Sequence, residues 1–163
     1  MSKGEENLIA AVLSDSQDYA SRLVYADWLE EQGDPRANYL RLEIELCEAE
    51  LQSELYYSLI EKLVGHADEF DEDWLDKVGI RFDVEILSWG NSLLEAVKVV
   101  KMFSGWSLMQ AKLATERAPT VFGESLGFAE VYRKFKEIHV QIEKPASDGM
   151  PQYGLRKSPH EPG

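Results

Sequence analysis

The chain has 163 residues, of which 44% are hydrophobic and 29% charged, and its formal net charge is −13 at pH 7. No apolar run approaches the roughly 20 residues that a membrane-spanning helix needs. The N-terminus also lacks the basic start and the longer apolar centre of a secretory signal. These features exclude a membrane-spanning helix, favour a cytoplasmic location and give no reason to expect a membrane partner.

The charge is unevenly distributed along the chain. Residues 1–79 carry 20 acidic and 6 basic side chains, whereas residues 80–163 carry 10 acidic and 11 basic ones. This split predicts two domains with different surfaces, at 1–79 and 80–144. Because the first domain would repel phosphate groups, we expect no nucleic-acid partner. A disordered tail is predicted over 145–163, which holds four of the six prolines.

Residues 1–79 have the apolar spacing of helices. The first amphipathic face groups four apolar residues, Leu8, Ile9, Val12 and Leu13. Gly33 suits a left-handed helix end, and Pro35 suits the first position of the next helix, where its missing N–H costs nothing. Further helices are predicted over about 54–64 and in the acidic segment before Gly79. The N-terminal unit is therefore predicted to be all-α.

From residue 80 the pattern changes to alternation. Phe82, Val84 and Ile86 alternate with charged residues, which predicts a half-buried strand. Two helices are expected on either side of the break SGWS. Ser107 and Gln110 have the spacing of a capping box at the start of the second of these helices.

The rest of the second unit completes a mixed fold. A brief strand is predicted at 120–122, a helix at 129–137 and a last alternating strand at 138–143. The resulting order is β-α-α-β-α-β. The whole chain is thus predicted to be α+β, with an all-α unit followed by a small domain whose helices cover one face of a sheet.

No arrangement of reactive side chains points to catalysis. Cys47 is the only cysteine, and its acidic neighbours disfavour the thiolate, so we expect a packed, inert thiol. His66, His139 and His160 have no second ligand at a metal-binding spacing. The acidic run ADEFDED lacks the glycine and the spaced glutamate of a calcium loop. We therefore predict no enzyme activity, no metal and no cofactor.

The most distinctive cluster of the first unit surrounds the sequence YADWLEEQGDPR. Its members are Tyr25, Asp27, Trp28, Arg36, Tyr39 and Arg41. Asp27 and Arg36 are expected to pair across the turn that contains Gly33 and Pro35. We interpret the cluster as structural, with a peptide-binding groove as the alternative.

A basic stretch, AVKVVKMFSGWSLMQAKLATERAP, stands out in this acidic chain. Lys98 and Lys101 are three residues apart and therefore share a helix face, beside the apolar Leu94 and Val97. Trp106 falls in the turn between two predicted helices. It is either a partner-binding anchor or a lid over the small core. The stretch itself is either a docking surface, on which Leu94, Val97, Lys98, Lys101 and Trp106 would contact a protein partner, or an ordinary solvated face.

The segments FDVEIL, VKVVK, SGWSLMQAK, ERAP and VQIEK together resemble the C-terminal domain of the bacterial ribosomal stalk protein, the L-seven/L-twelve protein of the large subunit. The resemblance covers residues 82–144. It implies a β-α-α-β-α-β fold whose two-helix face recruits translational GTPases. Matched position by position, it implies contact roles for Lys98, Lys101 and Lys112.

This chain departs from the family pattern on the same face. Leu93 and Met109 stand where the family has lysines, and Trp106 and Ser107 replace a leucine and a glycine of the turn. The face is therefore expected to be less basic and more apolar than that of a ribosomal stalk.

The sequence LVYADWLEEQGDPRANYLRLE, from Leu23 to Glu43, resembles the repeat-companion domain of some bacteria. A weaker similarity extends to Leu75. The family often occurs beside leucine-rich repeats, so the resemblance implies association with other protein modules.

Together these patterns predict a non-catalytic bacterial adaptor that binds a protein partner, with a translational GTPase as one candidate. The oligomeric state is left open. One alternative is a specificity factor for a Clp-type protease, since an adaptor of that protease shares the β-α-α-β-α-β fold. Another is an accessory companion to repeat proteins.

Overall fold

The structure is a computed structural model that describes residues 2–15 and 17–159. These residues form eight helices and one three-stranded antiparallel sheet, which confirms the prediction of an α+β protein. The helices are α1 (Lys3–Ser14), α2 (Tyr19–Glu31), α3 (Arg36–Glu48), α4 (Glu54–Ala67), α5 (Glu72–Val78), α6 (Leu93–Ser104), α7 (Leu108–Glu116) and α8 (Phe128–Glu137). The strands are β1 (Arg81–Ser88), β2 (Thr120–Gly127) and β3 (Gln152–Lys157). In the described part of the chain, no helix has the length and apolarity needed to cross a membrane.

Local sequence signals account for the positions at which several helices begin. The side chains of Ser2, Asp18 and Ser53 each accept a hydrogen bond from a backbone N–H of the first turn. Ser107 and Gln110 make both hydrogen bonds of the predicted capping box. These starts depend on neighbours within a few residues, so they can be recognised without knowledge of the tertiary structure.

The sheet has the strand order β2-β1-β3, so the predicted alternating strand lies at its centre. Phe82, Val84 and Ile86 of β1 are buried, as their alternation predicts. Helices α6 and α7 contact β2, and α8 contacts both β1 and β2. From β1 onward the elements follow the order β-α-α-β-α-β.

The last strand of that order is not where the sequence places it, and the prediction of a strand at 138–143 is wrong. The backbone N–H groups of Ile138, His139 and Val140 donate to carbonyl groups of α8. They close the end of that helix and are not available to a sheet ladder. Alternating apolar residues alone therefore gave a false strand signal here.

The third strand is instead β3, which lies inside the segment predicted to be a disordered tail. It pairs with β1 in antiparallel register, with Leu155 opposite Val84. Leu155 is buried, and the missing side chain of Gly154 leaves room for Leu51, whose Cδ1 would lie 3.0 Å from a Cβ at that position. The prediction of disorder is wrong for 152–157, and its final part, 160–163, lies outside the described residues.

The helices α1–α5 and the sheet share one buried hydrophobic cluster. The side-chain amide of Gln17 donates to the carbonyl oxygens of Arg81 (3.1 Å) and Ser158 (2.8 Å), and its own oxygen accepts from the backbone N–H of Arg81. The hydroxyl of Tyr56 accepts from the backbone N–H of Leu155 at 3.1 Å. The helical unit thus holds both β1 and β3.

Two ionisable side chains, Arg22 and Glu43, are fully buried where α5 leads into β1. Arg22 donates to the carbonyl oxygens of Val78 and Gly79, and Oε1 of Glu43 accepts from the backbone N–H of Ile80 at 3.3 Å. Burial raises the pKa of Glu43 to about 8, although the nearby Arg22 guanidinium opposes this shift. The two side chains therefore fix the backbone of the connection between the helical unit and the sheet.

The raised pKa of Glu43 has a consequence for stability. Between an unfolded-state pKa of 4.5 and a folded-state pKa of about 8, the folded protein keeps a proton that the unfolded chain releases. Stability is therefore expected to fall as the pH rises through this window, with a slope approaching about 1.4 kcal/mol per pH unit. Glu43→Gln should remove this contribution. In urea unfolding measured from pH 5 to pH 8.5, the free energy of unfolding of the variant should rise relative to that of the wild type as the pH rises.

Glu45→Gln is the matched control, because Glu45 is exposed on the same helix. Its unfolding free energy should follow that of the wild type across the pH range. Parallel curves for Glu43→Gln and the wild type would contradict the raised pKa.

Candidate functional site

The basic stretch forms a helical hairpin. Helix α6 ends at Ser104, and Gly105 follows with φ +77°, a left-handed conformation in which its N–H donates to the carbonyl oxygen of Lys101. The hydroxyl of Ser104 accepts the backbone N–H of Trp106, and Ser107 then caps α7. This turn brings α6 and α7 side by side.

The outer surface of this hairpin combines exposed apolar side chains with lysines. We call it the α6–α7 face and define it by Leu94, Lys98, Lys101, Met102, Leu108, Met109, Lys112 and Leu113, all of which are exposed. Leu94 is the most exposed of the apolar members of this face, at 86%. Scattered exposed leucines are normal on protein surfaces, but a group of five large apolar side chains on two adjacent helices is typical of an interaction surface.

The lysines of the α6–α7 face are available to a partner. Within residues 2–15 and 17–159, neither Lys98 nor Lys101 forms an ion pair, and Lys112 has only the exposed Glu116 at 3.8 Å. Exposed pairs of this kind contribute about 0–1 kcal/mol. All three ammonium groups can therefore be paired with carboxylates from outside the protein at little cost.

The structure separates the predicted site residues into two groups. Leu94, Lys98, Lys101 and Lys112 lie on the α6–α7 face, as described above. Val97 does not, because it is only 6% exposed and packs into the core beneath α6. The prediction that Val97 touches a partner is corrected accordingly: the side of α6 that bears Val97 is covered by the rest of the fold.

Trp106 is half-buried and packs against the hydrophobic core. It lines a shallow pocket with Phe103, Phe122 and Leu126. This position matches the description of a lid over the small core, with one part of the side chain still accessible at the edge of the α6–α7 face.

The YADWLEEQGDPR cluster is arranged differently from the predicted Asp27–Arg36 pair. The Arg36 guanidinium binds both oxygens of Asp34 and also pairs with Glu5 at 2.9 Å. Asp27 instead pairs with Arg41 at 2.7 Å. Asp34 precedes Arg36 by only two residues and presents both carboxylate oxygens to its planar guanidinium, which explains the choice of partner. These hydrogen bonds hold the pKa of Asp34 below its usual range.

Two tyrosines of this cluster lie in the core, which favours a structural role over a peptide groove. Tyr25 and Tyr39 are both fully buried. The hydroxyl of Tyr25 donates to Glu5 at 2.8 Å and accepts from Nε1 of Trp74 at 2.9 Å. The cluster therefore ties together α1, α2 and α5.

The predicted inert thiol fits its surroundings. Cys47 is partly buried, and burial raises its pKa to about 11, so the nucleophilic thiolate is scarce at neutral pH. Across the described residues, no three histidine, cysteine or carboxylate side chains are grouped so that they could hold a metal ion.

Sequence reasoning missed two groups of residues that the fold brings together. The first consists of the buried side chains of Arg22 and Glu43. The only sequence signal for it was that each is an ionisable residue on an otherwise apolar helix face. The second lies around Glu95 and Tyr153, which are far apart in the sequence and line one pocket. A scan against protein-family models, a search of curated proteins and a search of solved structures each found no match to this chain.

Proposed function

We propose that this protein is a non-catalytic adaptor that binds an acidic protein partner through the α6–α7 face. The observation that carries the proposal is the group of exposed apolar side chains bordered by Lys98, Lys101 and Lys112 on a molecule of net charge −13.

The two kinds of side chain would have different effects on binding. Leu94, Leu108 and Met109 supply apolar surface that is removed from water when a partner docks, which stabilises the complex. The lysines attract a partner whose surface is acidic and hold it in one orientation. Because residues 1–79 carry 20 acidic and only 6 basic side chains, such a partner is repelled from the helical unit.

The resemblance to the ribosomal stalk domain makes a translational GTPase the first partner to test. The lysines that match that family are Lys98, Lys101 and Lys112. The greater apolar character of this face, with Met109 in place of a lysine, favours a partner with a larger hydrophobic contact than a ribosomal stalk uses.

The test compares three forms of the full chain as baits in a bacterial lysate. They are the wild type, Lys98→Glu with Lys101→Glu, and the control Lys62→Glu with Lys77→Glu. The control lysines are exposed, lie outside the α6–α7 face and form no ion pair in the described part of the chain. Both double variants change the net charge by the same amount, so a difference between them reports the position of the charge.

We expect at least one acidic protein to bind the wild type and the control and to be lost from the Lys98→Glu, Lys101→Glu bait. With that protein purified, the Kd of the double variant should be at least about tenfold weaker, because two attractive contacts become repulsive. The affinity of the wild type should also fall with added salt. A set of bound proteins that is identical for the three baits would refute the proposal. A translational GTPase among the lost proteins would identify the partner class.

A further inference from the structure

A second candidate site is a pocket of about 250 Å³ on the flank of α6, outside the α6–α7 face. Its walls come from α4, α6, the start of β3 and the irregular segment 138–151 that joins α8 to β3. The residues that matter for its chemistry are Tyr57, Glu95, Val99, Ile142, Lys144 and Tyr153. None of them belongs to the face assigned to the protein partner.

The irregular segment is held in a defined shape. The carbonyl oxygen of Gly149 accepts from the backbone N–H of Asn91 at 2.8 Å and from the hydroxyl of Ser92 at 3.1 Å. Gly90 allows this close approach, because a Cβ there would lie 2.6 Å from the Gly149 oxygen. Irregular segments of this length inside a compact domain commonly serve binding sites. The wall of the pocket therefore exists before any ligand arrives.

The first residues of this wall are fixed by the end of α8. His139 lines the pocket and has φ +60°, the left-handed conformation that commonly ends a helix. Its N–H donates to the carbonyl oxygen of Lys136, and that of Val140 donates to Phe135.

The pocket contains a carboxylate that has no ionic partner. Glu95 is exposed and forms no ion pair with any described residue. Burial is the main reason that the pKa of Tyr153 is raised, and the negative charge of Glu95 raises it further. The hydroxyl of Tyr153 is itself buried without a hydrogen-bond partner in the part of the chain that the structure describes. A buried hydroxyl without a partner is uncommon in folded proteins.

These features favour a positively charged ligand of limited size. A primary ammonium group can donate hydrogen bonds to the Glu95 carboxylate and lie near the rings of Tyr57 and Tyr153, which attract cations. Val99 and Ile142 provide apolar surface for the carbon skeleton attached to it. A cavity of about 250 Å³ accommodates a group about as large as one amino acid.

We infer that this pocket binds a small primary amine that carries an apolar substituent. The ammonium group pairs with Glu95, and the substituent contacts Val99 and Ile142. Two sources share this chemistry, namely simple amines and free apolar amino acids. Lys144 lines the same pocket and distinguishes them, because it can pair with the carboxylate that only the amino acid has.

The experiment titrates the full chain with four small probes and follows binding by calorimetry and by ligand-observed NMR. The probes are 3-methylbutylamine, leucine, the uncharged 3-methylbutan-1-ol and the anionic 4-methylpentanoic acid. We expect at least one of the two amines to bind, the alcohol not to bind, and the acid, which can pair only with Lys144, to bind more weakly than that amine. No binding of either amine, or equal binding of the alcohol, would overturn the inference, and so would preferential binding of the acid.

Variants then assign the contacts. Glu95→Gln should weaken amine binding by about twofold to fivefold, because the amide oxygen still accepts a hydrogen bond but the ionic attraction of the exposed carboxylate is lost. Glu45→Gln removes an exposed carboxylate from α3 and should leave binding unchanged. Equal affinities of Glu95→Gln and the wild type would refute the ammonium contact. If leucine binds more tightly than the amine and Lys144→Gln abolishes that difference, the natural ligand is an amino acid; otherwise it is a simple amine.

Discussion

A chain that ends after Met150 is expected to lose cooperative folding. The truncation removes β3, which pairs along β1, and with it the buried side chains of Pro151 and Leu155. It also leaves the central strand without one neighbour and exposes its backbone N–H and C=O groups. Domains of this size are stable by only about 5–15 kcal/mol, so the loss of a strand and part of the core exceeds the available margin.

Point variants test the same conclusion in a chain of full length. Leu155→Ala is expected to lower the free energy of unfolding by about 2–4 kcal/mol, because it leaves a cavity in the core. Arg156→Lys is the control, since the Arg156 side chain is 62% exposed and lysine keeps a positive charge beside Glu85, whose side chain is only 12% exposed. Circular dichroism in urea would measure both. If the truncated chain unfolded cooperatively at the urea concentration of the full chain, residues 151–159 would belong to a disordered tail after all.

The substitution Arg22→Met is expected to lower the free energy of unfolding by about 3–5 kcal/mol. Arg22 is fully buried and donates from Nε and Nη2 to the carbonyl oxygen of Val78, at 3.2 and 3.0 Å, and from Nη1 to that of Asp18 at 3.0 Å. Methionine fills a similar length but donates nothing, so the buried carbonyl group of Val78 would lose both of these hydrogen bonds. Glu43 would also lose the one charge that lowers its pKa most strongly.

The matched control is Arg41→Met on the neighbouring helix. Arg41 pairs with Asp27 and Glu30 at the surface, where both carboxylates are mostly exposed. Its replacement should cost less than about 1 kcal/mol. Urea unfolding curves of the two variants should therefore be well separated. Curves that coincide would mean that the buried guanidinium contributes no more than a surface ion pair.

The fold elements that could be predicted are those specified by local sequence. The capping box at Ser107, the central strand with Phe82, Val84 and Ile86, and the helices of the first half are all present. Their signals are caps and apolar periodicity, which act over a few residues.

The error at 138–143 and the missed strand β3 share one cause. Whether an extended segment becomes a strand depends on a free edge of β1, which is far away in the sequence.

Only part of the candidate site could be predicted, because the rest of it depends on contacts between distant parts of the chain. The lysines and the apolar residues of α6 were identified from their spacing, but spacing alone did not decide which side of the helix the core would cover. Val97 turned out to be covered and Leu94 exposed. The pocket proposed to bind a primary amine had no sequence signal, because Glu95, Tyr57 and Tyr153 come from three separate elements.

By itself, the sequence determined that this protein is α+β, that its first half is helical and acidic, and that a basic hairpin with exposed lysines follows the central strand. Each of these properties depends on composition or on neighbours along the chain. Only the tertiary structure decided that β3 completes the sheet, that Arg22 and Glu43 are buried together, and that Glu95 and Tyr153 line one cavity. These arrangements arise from contacts between residues distant in sequence, which form only when the helical unit and the sheet bury a common core.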